Sequence, residues 1–333
     1  MANILLTQRC TRSCPYCFAK KHMAGSPPDD ILSWEDLIYL VDFLQLSGET
    51  RVQFLGGEPT LHPDFIDFCL YVLRRGMGVT VFTNGMLLPD KLSDAVRRFS
   101  GIREDRLSFV CNLNHPEHTP KSESVLVADF LEAFGRRITP GFNIYRNDFD
   151  IDFLFDYINR YGLGKGIRLG LAHPIPGTRN MHIKIADMAI TVRRLMSFRD
   201  KFERHRVRPL PDCGFPMCHF TTEDKGWLYR MTGGRFQFGC SPVIDIGPDM
   251  SVWSCFPLSA HHKKSIFEFD SMRDVFDFYH ERHRSIRVEV GGIFGECDDC
   301  RFREDDICMG GCAAHALSAF VNEANVRLPE FYQ

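Results

Sequence analysis

The chain of 333 residues is 44% hydrophobic and 25% charged, with a formal net charge of -3. Such a composition is typical of a soluble globular protein of one or two domains. No run of about 18 apolar residues occurs that could cross a membrane, and the N-terminal segment MANILLTQRC turns polar before an export signal could form. We therefore expect a cytoplasmic protein with no membrane partner. The near-neutral charge gives no reason to expect nucleic acid as a partner.

The first part of the chain alternates short apolar segments with longer amphipathic ones. A first helix is predicted between Ser33 as its N-cap and Gly48 as its stop, and a last one over about residues 185–205. Strands that alternate with helices pair in parallel, so the pattern predicts an α/β protein with a parallel sheet, either doubly wound or curled into part of a barrel. The six predicted strands are residues 4–6, 52–55, 79–82, 107–111, 138–145 and 167–171.

Residues 207–211 interrupt this alternation, and beyond them cysteine and glycine become more frequent. We therefore expect a domain boundary near residue 208. The sequence then divides into an alternating α/β domain, residues 1–207, and a small cysteine-rich domain, residues 208–333.

Cysteine is unusually frequent, with 13 residues. In a protein without an export signal the thiols stay reduced, so metal binding or catalysis is a better expectation than disulfides. Cys69 and Cys111 stand alone, and we expect them only to pack in the core. The other eleven form an N-terminal group, Cys10, Cys14 and Cys17, and a C-terminal group, Cys213, Cys218, Cys240, Cys255, Cys297, Cys300, Cys308 and Cys312.

The N-terminal group lies in one loop directly after the first predicted strand. Cys10, Cys14 and Cys17 are close enough to wrap one metal centre, and the next cysteine or histidine is His22. A structural zinc site normally takes four protein ligands, whereas an iron-sulfur cube held by three cysteines leaves one iron open.

This C-x-x-x-C-x-x-C loop resembles the cluster motif of radical S-adenosylmethionine (SAM) enzymes. The resemblance implies a [4Fe-4S] cluster whose open iron is chelated by SAM, an electron donor such as flavodoxin or ferredoxin, and cleavage of SAM to a 5′-deoxyadenosyl radical. That radical removes a hydrogen atom from the substrate. The resemblance also implies that residues 1–207 form a partial (β/α)6 TIM-like barrel.

A second motif, Gly56-Gly57-Glu58-Pro59, ends the second predicted strand and is similar to the family's glycine-rich motif. The glycines would let the backbone approach the methionine end of SAM, and the carboxylate could accept a hydrogen bond from its ammonium group. The resemblance implies further SAM contacts, for which an ordinary structural role explains the sequence about as well. The residues concerned are Tyr16, Phe18, Thr83, Asn84, Asn112, Asn143 and Arg146.

The C-terminal cysteines resemble the SPASM extension of radical SAM enzymes, which holds two auxiliary [4Fe-4S] clusters. Eight cysteines are enough for two cubes, although no cysteine follows Cys312 to close the distal one. An open iron, a non-cysteine ligand, or Cys213 or Cys218 could take that place. We expect Cys240, Cys255 and Cys312 on the nearer cluster with one of that pair, and Cys297, Cys300 and Cys308 on the distal cluster with the other. Zinc sites have similar spacing and are the alternative.

The resemblance implies hydrogen abstraction from a peptide or protein residue, with maturation, oxidation or a cross-link as the result. The peptide is recognised directly or delivered by a separate leader-binding protein. An alternative is dehydrogenation of a small molecule such as a sugar alcohol, and a third is a non-catalytic zinc scaffold. His173 follows the sixth predicted strand, at the end where parallel barrels keep their active sites, and is the one candidate acid or base.

The iron content of the protein separates these readings. Three cubes require roughly 12 Fe per chain after anaerobic reconstitution, whereas roughly 8 Fe means that one auxiliary site is not a cube. A colourless protein without iron or sulfide would support the zinc scaffold. Iron and acid-labile sulfide analysis of the reconstituted protein is the measurement.

Overall fold

The computed structural model describes residues 2–20, 27, 30–176, 180–260 and 262–324, with side chains as far as residue 319. His22 lies outside these residues. A single hydrogen-bonded sheet of ten strands organises the described chain, in the order β10-β9-β8-β1-β2-β3-β4-β5-β6-β7.

All six predicted strands are confirmed, and each pairs in parallel with the next along the chain. Leu6 continues the pairing one residue beyond β1, since its N–H donates to Leu55 O at 2.9 Å. The strands are β1 Ala2–Leu5, β2 Arg51–Leu55, β3 Gly78–Thr83, β4 Leu107–Asn112, β5 Ile138–Ile144 and β6 Gly166–Leu171.

Helices connect successive strands, and each buries one apolar face. The N-cap at Ser33 is confirmed, because its side chain accepts a hydrogen bond from the Asp36 N–H. The first helix buries Leu37, Leu40 and Leu44, which recur at helical spacing. These helices are α1 Trp34–Leu46, α2 Phe65–Arg74, α3 Pro89–Phe99, α4 Lys121–Phe134 and α5 Asp152–Tyr161.

The single helix predicted over residues 185–205 is wrong. The chain forms a 3-10 turn, Ile185–Asp187, and then two helices, α6 Met188–Met196 and α7 Arg199–His205. They separate at Ser197, whose hydroxyl donates to Arg194 O at 2.7 Å. A serine that bonds back to the preceding turn competes with the helical pattern, which explains the break.

The break in the alternation that we expected at residues 207–211 is also wrong, because Arg208–Pro211 forms β7, parallel to β6. The N–H groups of Arg208 and Asp212 donate to Lys165 O and Leu169 O. Successive N–H groups of a strand point to opposite sides, so Pro209 and Pro211 have their nitrogen atoms on the free edge of the sheet. Their missing N–H groups therefore break no pairing with β6.

The C-terminal region continues the sheet at its opposite edge. β8 Ile244–Ile246 pairs in parallel with β1, and β9 Ser251–Ser254 and β10 Lys264–Ser265 follow in antiparallel order. Asn3 of β1 donates a buried side-chain hydrogen bond of 2.7 Å to Asp245 of β8. The sheet therefore runs without interruption across the expected boundary near residue 208, and the division into two domains stays a prediction.

The remaining helices, α8 Thr222–Thr232, α9 Met272–Glu289, α10 Arg301–Glu304 and α11 Ala313–Ala324, lie after β7. A small separate core joins α9 and α11 through Ile286, Ala314 and Leu317, with Cys240 and Cys312 among its members. Across the described chain, no helix combines the length and apolar character that a membrane span requires.

Asp245 provides a test of the β1–β8 junction. Burial raises the pKa of Asp245 from 3.8 to about 7, so the folded chain retains a proton that the unfolded chain releases between these values. The free energy of unfolding should therefore fall as the pH rises through this interval. Asp245→Asn keeps an acceptor for Asn3 and should flatten this dependence, with a gain of about 1–3 kcal/mol at pH 8.

Chemical denaturation of the holoprotein between pH 5 and pH 8 measures this effect. Asp277→Asn, at a side chain that is 72% exposed, is the matched control and should leave the profile unchanged. Parallel profiles for the wild type and Asp245→Asn would contradict the interpretation.

Candidate functional site

The three N-terminal cysteines lie on one partly exposed loop at the carboxyl end of β1. The N–H of Cys17 donates to Cys14 O at 3.2 Å, which turns the loop back on itself. Burial, together with the neighbouring Glu58, Cys14 and Cys17, raises the pKa of Cys10 to about 11. Burial also raises the pKa of Cys17. Thiols that resist ionisation lose this penalty when a cation binds them, because metal ligation favours the thiolate.

The glycine pair Gly56-Gly57 holds the backbone that leads into this loop. The N–H of Gly57 donates to Thr7 O at 2.8 Å and the N–H of Glu58 donates to Arg9 O at 2.7 Å. A Cβ atom on Gly56 would lie 2.2 Å from Thr7 O, and one on Gly57 would lie 2.2 Å from Arg9 O. The close approach of two backbones thus requires both glycines, whether or not SAM also approaches them.

Glu58 joins the ends of β2 and β3. Its side chain is 1% exposed, and its Oε1 accepts hydrogen bonds of 2.7 Å from the hydroxyls of Thr60 and Thr83, while Oε2 accepts one of 2.7 Å from the Asn84 N–H. Burial raises the pKa of Glu58, against the opposing effect of these donors. Pro59 follows as the first residue of a short 3-10 helix. The predicted contact of Glu58 with the SAM ammonium group stays a prediction.

Asn84 connects the third strand to the cysteine loop. Its Nδ2 donates to Thr11 Oγ1 at 3.2 Å, and its Oδ1 accepts from the Met86 N–H at 2.9 Å. Thr83 supports the same turn, since its hydroxyl accepts from the Gly85 N–H at 3.0 Å. The turn after β3 is therefore built against the cysteine loop, and the predicted contacts of Thr83 and Asn84 with SAM stay predictions.

Arg12 is a residue of the cysteine loop that the sequence analysis missed. Its side chain is 7% exposed, donates to Asn112 O at 2.8 Å and forms an ion pair with Glu123 of α4. An arginine between two cysteines reads as an ordinary surface residue in the sequence, because its partners are about 100 residues away. The pair ties the loop to β4 and α4.

The aromatic residues of the loop pack against other parts of the protein. Tyr16 stacks on Tyr145 with ring centroids 4.8 Å apart, and its hydroxyl donates to Asn114 at 2.9 Å. Phe18 packs against Phe256 with centroids 5.4 Å apart. Tyr16 therefore faces the ends of β4 and β5, while Phe18 contacts the residue that follows Cys255.

Asn112 and Asn143 are brought together by Arg168 of β6, a second residue that the sequence analysis missed. One guanidinium nitrogen of Arg168 lies 3.3 Å from Asn112 Oδ1 and 3.4 Å from Asn143 Oδ1, and the other pairs with Asp212. An arginine inside the apolar run Gly-Ile-Arg-Leu-Gly-Leu is the signal that could have located it. Arg146 lies apart, with a side chain that is 52% exposed and paired to Asp148.

One group of C-terminal cysteines surrounds Cys240. The Cys312 thiol and burial raise the pKa of Cys240 to about 12, against the opposing effect of nearby His283. Burial, followed by Cys240 and Cys213, raises the pKa of Cys255. We call Cys213, Cys240, Cys255 and Cys312 the near group. Sequence analysis missed His283, which is 1% exposed and places its Nε2 2.9 Å from Ser254 Oγ.

The remaining C-terminal cysteines form a second group. Burial, followed by Cys308, Cys297 and Cys300, raises the pKa of Cys218. Burial and the neighbouring Cys308 and Cys300 also raise the pKa of Cys297. We call Cys218, Cys297, Cys300 and Cys308 the distal group. Cys213 and Cys218, five residues apart, thus contribute to different groups.

His173 lies beside Cys312 and His315. Its side chain is 8% exposed, and its Nδ1 lies 3.4 Å from Nδ1 of His315. The two solitary cysteines pack as expected, since Cys69 and Cys111 are fully buried members of the main core. Burial raises the pKa of Cys111 to about 12.

Residues 4–112 match the family model of the radical SAM superfamily. The chain contains a radical SAM domain, and its cysteine loop and glycine-rich turn lie within the matched residues.

Curated relatives align with part of the chain. It is 31% identical over 91 residues to the mitochondrial GTP 3′,8-cyclase of Arabidopsis thaliana and 34% over 87 residues to an S-adenosylmethionine-dependent nucleotide dehydratase of Selenomonas ruminantium. It is 36% identical over 121 residues to the GTP 3′,8-cyclase of Limosilactobacillus fermentum. These alignments cover 27%, 26% and 34% of the chain, and 23%, 30% and 34% of the relatives.

Solved structures resemble almost the whole chain. Native anSMEcpe with bound AdoMet has a TM-score of 0.66 at 17% identity, over 94% of this chain and 89% of that one. SuiB of Streptococcus suis has a TM-score of 0.65 at 17% identity, over 100% and 75%. SuiB bound to its precursor peptide SuiA has a TM-score of 0.64 at 16% identity, over 99% and 74%. This likeness confirms the predicted fold, a partial TIM-like barrel followed by a cysteine-rich region.

The packing of Gly57 against Arg9 provides a test of the site. Gly57→Ala places a Cβ atom 2.2 Å from Arg9 O, which forces the loop away from β2 at a cost of about 1–3 kcal/mol. We expect the reconstituted variant to lose roughly four Fe per chain. Gly101→Ala is the control, since nothing lies within 4 Å of the added atom. Full iron content in Gly57→Ala would show that the loop tolerates the displacement.

Proposed function

We propose that this chain is a radical SAM enzyme with two auxiliary iron-sulfur clusters, which abstracts a hydrogen atom from a residue of a peptide or protein. Its cofactors are SAM and [4Fe-4S] clusters. The observation that carries the proposal is the anchored loop that brings Cys10, Cys14 and Cys17 together within a radical SAM domain. When bound there, the cluster and SAM supply reductive cleavage of the sulfonium to a 5′-deoxyadenosyl radical.

The three thiols fit a site-differentiated cube. They lie on one loop, interact electrostatically with one another and are partly exposed, so a cluster bound to them can still meet SAM. Within the described chain, the groups that mainly influence the pKa values of Cys10 and Cys17 include no histidine and no cysteine outside this loop. Three protein ligands leave one iron for the amino and carboxylate groups of SAM.

The chain's own residues position these cofactors. Glu58, Arg12 and Asn84 form hydrogen bonds at the strand ends around the loop, and these bonds would support the cysteines from behind. We assign SAM contacts to Gly56, Gly57, Glu58 and Asn112, and place the adenine near Tyr16 and the backbone of Phe18. Asn143 lies on the same side, held with Asn112 by Arg168.

The auxiliary clusters belong on the near and distal groups. Each group has four thiols, the number that one cube requires. On this assignment Cys218 closes the distal cluster in place of the cysteine that relatives carry after the position of Cys312. Phe18 packs on Phe256, the neighbour of Cys255, so the near group adjoins the SAM cluster loop. A cluster held by the near group would therefore lie beside the SAM cluster loop and would supply an acceptor for the electron that hydrogen abstraction leaves on the substrate.

A peptide substrate is supported by the extent of the structural likeness. The similarity to SuiB, whose complex with a precursor peptide is solved, spans almost the whole chain, whereas the three curated relatives named above align with about a third of it or less. Delivery of the peptide by a separate leader-binding protein, an electron donor such as flavodoxin or ferredoxin, and a cytoplasmic location belong to the same proposal.

A small-molecule substrate is the second candidate. The curated relatives of the radical SAM domain are named for reactions on GTP and other nucleotides, which favours a compact substrate held within the barrel. A sugar alcohol, dehydrogenated at one carbon, is the form of this alternative that we expected from the sequence. Turnover of a small molecule without any peptide would favour it.

Cys14→Ala tests the reaction that both candidates share. Loss of one of three ligands should abolish formation of 5′-deoxyadenosine from SAM and dithionite, while roughly eight Fe stay on the auxiliary groups. Cys69→Ala, which removes a buried thiol outside every group, is the matched control and should cleave SAM normally. Continued cleavage by Cys14→Ala would contradict the proposed mechanism. Mass spectrometry of candidate peptides for a loss of hydrogen then tests the substrate class.

A further inference from the structure

Two buried histidines meet the near group at Cys312. His173 follows β6, and His315 lies in the first turn of α11, three residues after Cys312. The exposed fractions of His173, His315 and Cys312 are 8%, 2% and 8%. One potential ligand atom from each residue lies within 4.8 Å of the other two.

The hydrogen bonds of His315 determine which nitrogen faces its neighbours. Nε2 of His315 lies 2.8 Å from Ile183 O, and a carbonyl oxygen only accepts, so the proton is on Nε2. Nδ1 of a neutral His315 therefore carries a lone pair, and it lies 3.4 Å from Nδ1 of His173. A backbone carbonyl that fixes the tautomer in this way is the usual outer partner of a histidine that binds a metal.

The local backbone keeps these groups together. A Cβ atom on Gly214 would lie 2.5 Å from Cε1 of His173 and 3.5 Å from Cβ of Cys312. Only glycine allows the chain next to Cys213 to pass so close to the imidazole. Asn180 donates to His173 O at 2.8 Å, which holds the loop after β6 in place.

We propose that His173, His315 and Cys312 bind a divalent metal ion of borderline softness. This inference goes beyond the proposed function, which assigns no role to the histidines. Imidazole nitrogen and thiolate sulfur are ligands that zinc and cobalt accept in tetrahedral geometry. With metal–nitrogen bonds of about 2.0–2.1 Å, two nitrogens at tetrahedral positions lie roughly 3.3 Å apart, close to the 3.4 Å between the two Nδ1 atoms.

In this proposal, Cys312 is a ligand both of the near group's cluster and of the divalent metal ion. Its thiol lies beside Cys240 in the near group and beside the two imidazoles. A thiolate sulfur has enough lone pairs to bridge two metals, so the site adjoins the near group without removing Cys312 from it. Three protein ligands leave a fourth position for water or another small ligand.

Cobalt is the probe for this site. The anaerobically prepared, iron-loaded full chain is titrated with Co²⁺, and cobalt K-edge X-ray absorption reads the ligands without interference from iron. We expect one equivalent, bound to two imidazole nitrogens and one sulfur and displaced by Zn²⁺. Loss of a residue that only hydrogen-bonds to a metal ligand weakens metal binding about 10–100-fold. His173→Asn and His315→Asn each remove a ligand itself, so each should weaken cobalt binding by more than that. His182→Asn is the control, since its ring contacts His315 but lies outside the ligand set.

Three results would overturn the inference. Wild type that takes up no cobalt shows that His173 only donates a hydrogen bond to His315. A cobalt spectrum without nitrogen ligands places the ion elsewhere. Loss of about four Fe from the histidine variants assigns the imidazoles to the near cluster itself. The wild-type spectrum does not depend on whether any variant folds. SAM cleavage is assayed separately, so its absence contradicts the proposed function and leaves this inference standing.

Discussion

The close contact between two stretches of backbone, Gly56-Gly57 and Thr7 to Arg9, is the constraint on which the site depends. A Cβ atom added to either glycine would lie 2.2 Å from a carbonyl oxygen of the facing backbone, so no other residue type fits. This contact carries the cysteine loop from β1 onto the end of β2, and Glu58 then extends the support to β3. Main-chain contacts therefore determine where the cysteine loop lies.

Much of the barrel could be predicted because its strands are local, apolar and bounded by turn residues, as Val52 to Leu55 illustrates. The glycine-rich turn and the cysteine loop were recognisable for the same reason, since each is contiguous. Errors arose where one local signal competed with tertiary context. The prolines of β7 read as a break, yet they face the free edge of the sheet. Ser197 divides a helix whose apolar pattern looks continuous.

Other parts of the site depend on contacts between distant residues, which no local pattern reveals. Arg12 and Arg168 are ordinary in sequence, and their importance appears only when Asn112 is beside both of them. Cys213 and Cys218 show the same limit. Their count and spacing suited either cluster, and only the fold places one with Cys255 and the other with Cys297.

Because β1 is paired on both sides, its protection from the solvent-exposed edge of the sheet depends on a strand from the C-terminal region. β1 carries the cysteine loop and is hydrogen-bonded to β2 and to β8, two strands nearly 200 residues apart in sequence. A chain that stopped before β8 would leave β1 as an open edge strand, a template for pairing with other chains. The region after residue 208 therefore does more than carry the C-terminal cysteines, because its strand β8 covers the edge of the strand that leads into the cysteine loop.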